Sequence, residues 1–336
     1  MAETNISVAC IGLGRLGAGI AHNVQRAGFR LIVYNRTQEK AEPLITSGAA
    51  LARTPREAAH AADVVVTSLM DDASVLDVVN GADGVLSGMR PGAVHAGTTT
   101  TSPNLSTRLT ELHSSHGSEY VAANVLGRPD VAAAGKLITL LARKPEAIAR
   151  ARQVIDTYSA RVILLGEDPA LASSMKLAGN FFLAGLLEVI GEAFAFAKRR
   201  GVLDPFSEML KAFLPGSQEY LDRIRSSDFG RAGFTLDAGL KDILLILDAA
   251  AEVRLLISAT GRFSQRSLPL TPVRSRDGCD ITRLRTESLV CRSRSADYHR
   301  CRNSGMEVVT LARRIRPQTV MQGARKNTER FYLFTP

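Results

Sequence analysis

Tryptophan is absent from the 336 residues, aromatics make up 5% and four cysteines occur. No C-x-x-C pair is present, so the cysteines Cys279, Cys291 and Cys301 near the end suggest no zinc site. His113-Ser-Ser-His116 brings two imidazoles near each other but has no third ligand at a metal-like spacing, and no metal is expected. No run approaches 18 uncharged apolar residues, which argues against a membrane span. The opening MAETNISVACIG lacks the basic stretch of a signal peptide, and the cytoplasm is the expected compartment. Neither a G-x-S-x-G elbow nor a Walker loop is present, which leaves serine-hydrolase and P-loop chemistry without a motif.

Charge is unevenly spread. The formal net charge is +9, yet residues 1–253 hold 25 Lys+Arg against 27 Asp+Glu, while residues 254–336 hold 17 against 6. Sixteen of those 17 cations are arginine, interleaved with serine. The chain therefore has two compositional parts, and its length suffices for two domains with a sizeable core.

Short apolar runs at 5–11, 30–34, 63–67, 92–96, 119–123 and 137–142 read as strands, with helical patterns at 15–27, 38–47 and 103–115. Such alternation predicts an α/β domain with a mostly parallel sheet over residues 1–167. A long helix follows at 169–200, ending in Lys198-Arg199-Arg200 before Gly201, the usual chemistry of a helix C-terminus. Further helices at 204–213, 217–225 and 236–253 make residues 168–253 an all-helical domain.

Gly12-Leu13-Gly14-Arg15-Leu16-Gly17 fits G-x-G-x-x-G between an apolar strand and a helix. In that context the pattern predicts a Rossmann dinucleotide site. Gly12 permits the tight turn, Gly14 lets the backbone approach a pyrophosphate, and Gly17 lets helix and strand pack closely. The helix N-terminus offers free N–H groups to the anion. The second strand ends at Asn35-Arg36-Thr37, without the acid that would bind the ribose 2′-hydroxyl of NAD. A neutral amide does not repel a 2′-phosphate, Arg36 can pair with it and Thr37 can donate to it. NADP(H) is the expected cofactor in preference to NAD; the competing reading of Arg36 is an exposed loop arginine.

The stretch GLGRLGAGIAHNVQRAGFRLIVYNRT, together with SSMKLAGNFFLAGLLEVIGEAFAFAKRRGVLDP, resembles the β-hydroxyacid dehydrogenase family over roughly residues 5–253. That family includes 3-hydroxyisobutyrate dehydrogenase, tartronate semialdehyde reductase and glyoxylate/succinic semialdehyde reductases, and it is related to 6-phosphogluconate dehydrogenase. The resemblance implies hydride transfer between NADP(H) and a small β-hydroxy acid or semialdehyde. It implies that TSLMDD (67–72), with Leu69 and Met70, covers the nicotinamide side of the cofactor. It places Lys176 at the family's catalytic lysine, Asn180 at its substrate asparagine and Lys241 at a second lysine near cofactor and substrate. It also implies a homodimer or tetramer if the helical domain is intact.

The residues themselves support part of this. Lys176 and Asn180 are four apart and share a helix face. A lysine desolvated in a cleft can lower its pKa and serve as general acid in carbonyl reduction; the alternative is a snorkelling surface lysine. The substrate loop YVAANVLGRPDVAAAGKL departs from the family's APVSGG-x-x-A-x-x-G-x-L at Asn124, Leu126 and Arg128. Asn124, Gly127 and Arg128 remain the candidate substrate contacts there. Arg128 either binds a carboxylate bidentately or points to solvent. In GTTTTSPNLS, Thr100 is the candidate cofactor contact, with a helix N-cap role for neighbouring Ser102 equally natural.

Rival readings are an imine reductase, whose members usually lack the helix lysine, and an NADP-binding pseudoenzyme with an impaired helical domain. From Arg254 onward no sustained period remains, where the family continues with helices. Residues 254–336 read as an out-of-frame, poorly packed tail. The alternatives are a divergent or disordered tail and a nucleic-acid-binding arm, the last disfavoured by few stacking aromatics and almost no lysine.

Overall fold

The computed structural model describes residues 6–227, 235–255 and 257. Apart from its first positions, the tail beginning at Arg254, with its out-of-frame, cysteine and nucleic-acid readings, lies outside the described residues.

In the first half, β1 (Ser7–Ile11), α1 (Arg15–Arg26), β2 (Arg30–Tyr34), α2 (Glu42–Thr46), β3 (Ala50–Leu51), α3 (Pro55–His60), β4 (Val64–Thr67), α4 (Asp72–Val79), α5 (Val85–Gly88) and β5 (Val94–Gly97) alternate strictly enough to build crossovers. Next come α6 (Pro103–Ser115), β6 (Glu119–Leu126), α7 (Pro129–Ala133), β7 (Leu137–Ala142), α8 (Pro145–Ile155) and β8 (Ser159–Leu164). The helical part consists of α9 (Ala170–Arg199), α10 (Leu203–Phe213), α11 (Gln218–Ser226) and α12 (Leu236–Glu252).

The eight strands form one sheet in the order β3-β2-β1-β4-β5-β6-β7-β8. All neighbours are parallel except β6 and β7. Every residue of β1, β4 and β5 is buried, because helices cover both faces of a parallel sheet. The strand order reverses between β1 and β4, and at such a switch point the carboxyl ends of the strands open a crevice, the usual ligand position in such sheets.

Several bounds differ from the sequence reading, two of them with a clear physical cause. The helical pattern at 38–47 splits into a 3-10 turn at Gln38–Ala41 and then α2, with Pro43 in its first turn, where a missing N–H does no harm. β6 continues to Leu126, three residues past its expected end, since the antiparallel ladder pairs Asn124 with Leu140 and Leu126 with Ile138.

α9 has 30 residues, about 45 Å at 1.5 Å per residue. It stops where Gly201 turns to φ +73°, a conformation glycine adopts at little steric cost. By length and composition α9 could cross a membrane, since an 18-residue window within it has mean hydropathy 1.5, although Asn180, Glu188 and Glu192 interrupt its apolar run. Leu, Phe and Ala are dense enough to offset those three. Its inner face is a core face: Ala172 packs beneath the sheet, Leu177 against Ile243 and Ile246 of α12, and Leu187, Ile190 and Phe194 against α11. Core helices of this kind meet the same length and hydropathy criteria as a span.

A buried polar chain crosses the layer between sheet and α6. Thr67 Oγ1 lies 2.8 Å from His95 Nε2, His95 Nδ1 lies 3.0 Å from His113 Nε2, and His113 Nδ1 lies 2.7 Å from the Leu109 carbonyl. A carbonyl only accepts, so His113 donates to it. His95 then donates to His113, and Thr67 to His95, which fixes both neutral tautomers. Burial lowers the His113 pKa to about 4, and burial together with His113 lowers that of His95. His116 turns away to the Leu112 carbonyl, so the two histidines of the 113–116 pair do not converge.

Candidate active site

The glycine turn is sterically obligatory. Gly12 has φ +91°, and a Cβ there would lie 2.4 Å from the Ser68 carbonyl oxygen. A Cβ on Gly17 would lie 1.9 Å from the Gly12 carbonyl oxygen, so α1 can approach the strand only with glycine there. Gly14 caps α1 and has nothing within 4 Å of where a Cβ would be. That open side, at a helix N-terminus, is where a pyrophosphate fits. Leu13 is buried, Leu16 half-buried and Arg15 exposed.

Asn35 proves to be a brace for this turn. Its Oδ1 accepts from Leu13 N at 2.8 Å and its Nδ2 donates to the Thr37 carbonyl at 2.7 Å. Arg36 and Thr37 are exposed just beyond it. Ser68 and Leu69 pass directly over Gly12. Leu69 is half-buried and its N–H donates to Thr99 Oγ1 at 2.9 Å, whereas Met70 is 56% exposed. Asp71 caps α4 through Ser74, whose backbone N–H it accepts at 2.8 Å.

Across the crevice, Lys176 of α9 is 9% exposed. Burial is the main cause that brings its pKa down to about 8; Lys241 adds to the fall and Asp242 opposes it. Asn180 Nδ2 donates to Asp242 Oδ2. Lys241 Nζ sits 2.6 Å from Asp242 Oδ1 and donates to the Thr100 carbonyl at 2.8 Å. Lys176, Asn180, Lys241 and Asp242 thus form one polar group between α9 and α12, tied to the loop after β5. Thr100 contributes its carbonyl to this group, while Ser102 caps α6 through Leu105 N.

The predicted substrate loop is distributed differently. Asn124 is 1% exposed and lies inside the structure, donating to the Thr99 carbonyl at 2.7 Å. Gly127 has φ +147°, and a Cβ there would lie 2.5 Å from Leu137 Cδ2. Arg128 does not point simply to solvent. It pairs with Asp130 at 3.1 Å and with Glu219 of α11, and its guanidinium lies 5.6 Å from the Tyr220 ring centre. The structure therefore brings Lys176, Asn180, Lys241 and Thr100 together, ties Asn124 to their neighbours Thr99 and Ser173, and pairs Arg128 with Asp130 and Glu219.

Residues 7–166 match the NAD binding domain of 6-phosphogluconate dehydrogenase. The chain is 40% identical over 251 residues to the uncharacterized oxidoreductase YfjR of Bacillus subtilis, covering 74% of this chain and 88% of that protein. The chain belongs to the β-hydroxyacid dehydrogenase family. As a member of that family it is an oxidoreductase with a nicotinamide dinucleotide site. It is also 24% identical over 268 residues to 2-(hydroxymethyl)glutarate dehydrogenase of Eubacterium barkeri, covering 78% of this chain and 88% of that protein. Its fold matches the Mycobacterium tuberculosis 3-hydroxyisobutyrate dehydrogenase solved with L-serine, at TM-score 0.74 and 23% identity, over 84% of this chain and 99% of that one.

Asp242 is the site residue that sequence reasoning passed over. Its signal was present, an acid beside Lys241 at the start of the apolar run ILLILDAAA. Because burial holds the Lys176 ammonium below its usual pKa, the folded protein binds that proton less tightly than the unfolded chain. Its cost to stability is therefore full below pH 8 and fades as pH rises towards 10.5. Lys176→Met is expected to raise folding stability at pH 7 by up to about 3 kcal/mol, with the gain shrinking above pH 8. Chemical denaturation across that pH range measures it, and a less stable variant at pH 7 would contradict the desolvated lysine.

Proposed function

We propose that the enzyme transfers hydride between NADP(H) and a small β-hydroxy acid or its semialdehyde, with Lys176 as the general acid in reduction and the base in oxidation. The observation that carries this reading is a buried lysine with a pKa near 8, grouped with Asn180 and Asp242 and tied through Lys241 to the loop beside the glycine turn.

The turn fits a dinucleotide, since Gly12 and Gly17 leave no room for a side chain and Gly14 leaves its outer side open. Gly12–Gly17 would hold the pyrophosphate, Leu69 and Met70 would lie on the nicotinamide side, and Arg36 and Thr37 would meet the 2′-phosphate. Asn35 is already bonded to Leu13 and Thr37 and so braces the turn in place of binding ribose. When bound, NADPH supplies the hydride that reaches the carbonyl carbon. Lys176 donates a proton to the carbonyl oxygen, Asn180 orients the substrate and Asp242 holds Asn180. Lys241 adds positive charge, which favours release of the proton from Lys176.

Lys176→Ala should lower turnover at least about 100-fold while NADPH affinity changes less than about threefold. Assays would use a panel of glyoxylate, succinic semialdehyde and tartronate semialdehyde, with NADPH binding followed by fluorescence. Equal loss of both quantities would exclude the catalytic role. In the wild type, reduction requires the protonated lysine and should fall above pH 8, whereas oxidation requires the neutral amine and should rise towards that pH.

Arg36→Ala tests the cofactor choice. It should weaken NADPH binding by about 10- to 100-fold, the worth of a charge-assisted phosphate contact, and leave NADH binding nearly unchanged. Parallel weakening of both cofactors would show that Arg36 does not meet the 2′-phosphate.

A further inference from the structure

Four side chains from four different segments meet beside the site. Thr101 comes from the loop after β5, Ser106 from α6, Asn124 from β6 and Ser173 from α9, and all are buried. The Ser106 and Ser173 hydroxyls lie 2.7 Å apart, and Thr101 Oγ1 is 3.3 Å from each. Ser173 Oγ donates to Asn124 Oδ1 at 3.4 Å, and Asn124 Nδ2 donates to the Thr99 carbonyl at 2.7 Å. Thr99 Oγ1 in turn accepts from Leu69 N. A continuous polar path thus runs from α9, three residues before Lys176, to residue 69 above the glycine turn.

Its placement is informative. Around Ser173 the inner face of α9 offers Ala172 and Leu177, apolar groups whose burial is non-directional. Buried hydroxyls are costly unless bonded, and once bonded they are directional. The cluster can therefore fix both the rotation of α9 and its height along the sheet. A general acid needs its donor held within about 0.5 Å of the productive position.

We propose that Thr101, Ser106, Asn124 and Ser173 form a positioning cluster that sets Lys176 in register with the 68–71 loop. The proposal rests on the catalytic reading of Lys176. Asn124, expected from the sequence to touch substrate, acts here through the backbone of Thr99 and the hydroxyl of Ser173.

The test compares Ser173→Ala, Ser106→Ala and Lys176→Ala in the full chain. It measures NADPH affinity, turnover of succinic semialdehyde against pH, and pH-dependent labelling of Lys176 by an amine-directed reagent, read by peptide mass spectrometry. Ser173→Ala should keep NADPH affinity within about threefold, lose roughly 10- to 100-fold in turnover, and shift both the alkaline limb and the labelling midpoint upward from about 8. Ser106→Ala should do the same from a different helix, which covers the case in which Ser173→Ala fails to fold. Unchanged turnover and labelling would overturn the proposal, and so would turnover and NADPH affinity falling together. Wild-type turnover in Lys176→Ala would instead sink the catalytic reading itself, and the labelling result judges the cluster even if the wild type ignores this aldehyde.

Discussion

An ammonium group withdrawn from water at the junction of α9 and α12 is the constraint on which the site depends. Burying a lysine is unfavourable, and the protein compensates only in part. Asp242 is close enough to favour the charge, but it already pairs with Lys241 and accepts from Asn180. Lys176 is left poised near pH 8 instead of being fully neutralised or fully paired. Stronger compensation would restore an ordinary lysine, and none would leave it neutral throughout the physiological range.

The short run of residues 98–101 holds the surrounding parts together. Thr98 bonds the end of β4, Thr99 receives Leu69 and Asn124, Thr100 receives Lys241, and Thr101 meets Ser106 and Ser173. Hydroxyls of Thr98, Thr99 and Thr101 and carbonyls of Thr99 and Thr100 share this work, and the β-branched side chains have restricted rotamers. The loop at Leu69, which the proposed reaction sets on the nicotinamide side, and helices α6, α9 and α12 are thereby tied to one piece of backbone.

Much of this was legible in the chain. The glycines at 12, 14 and 17 announce their role because sterics admit no other residue at the first and third, and local spacing carries the information. Lys176 and Asn180 were singled out by the family resemblance, and helix periodicity adds only that they share one face. Asn124 and Arg128 were not legible in the roles they take. Their partners, Thr99, Ser173 and Glu219, are brought near only by the sheet order and by packing between distant helices. The composition at 124–126 also concealed the end of β6, since its register there is set by the antiparallel partner β7 and not by local propensity. Asp242 was passed over for a related reason: an acid beside a lysine within an amphipathic helix reads as solvated until the facing helix is known.

The most direct measurement is an NMR titration of the Lys176 side chain in protein carrying nitrogen-15 lysine, with Lys176→Arg used to assign the signal. A midpoint near 8 is expected. A midpoint at the ordinary lysine value near 10.5 would mean that the ammonium remains solvated, and the proposed general acid would lose its physical basis.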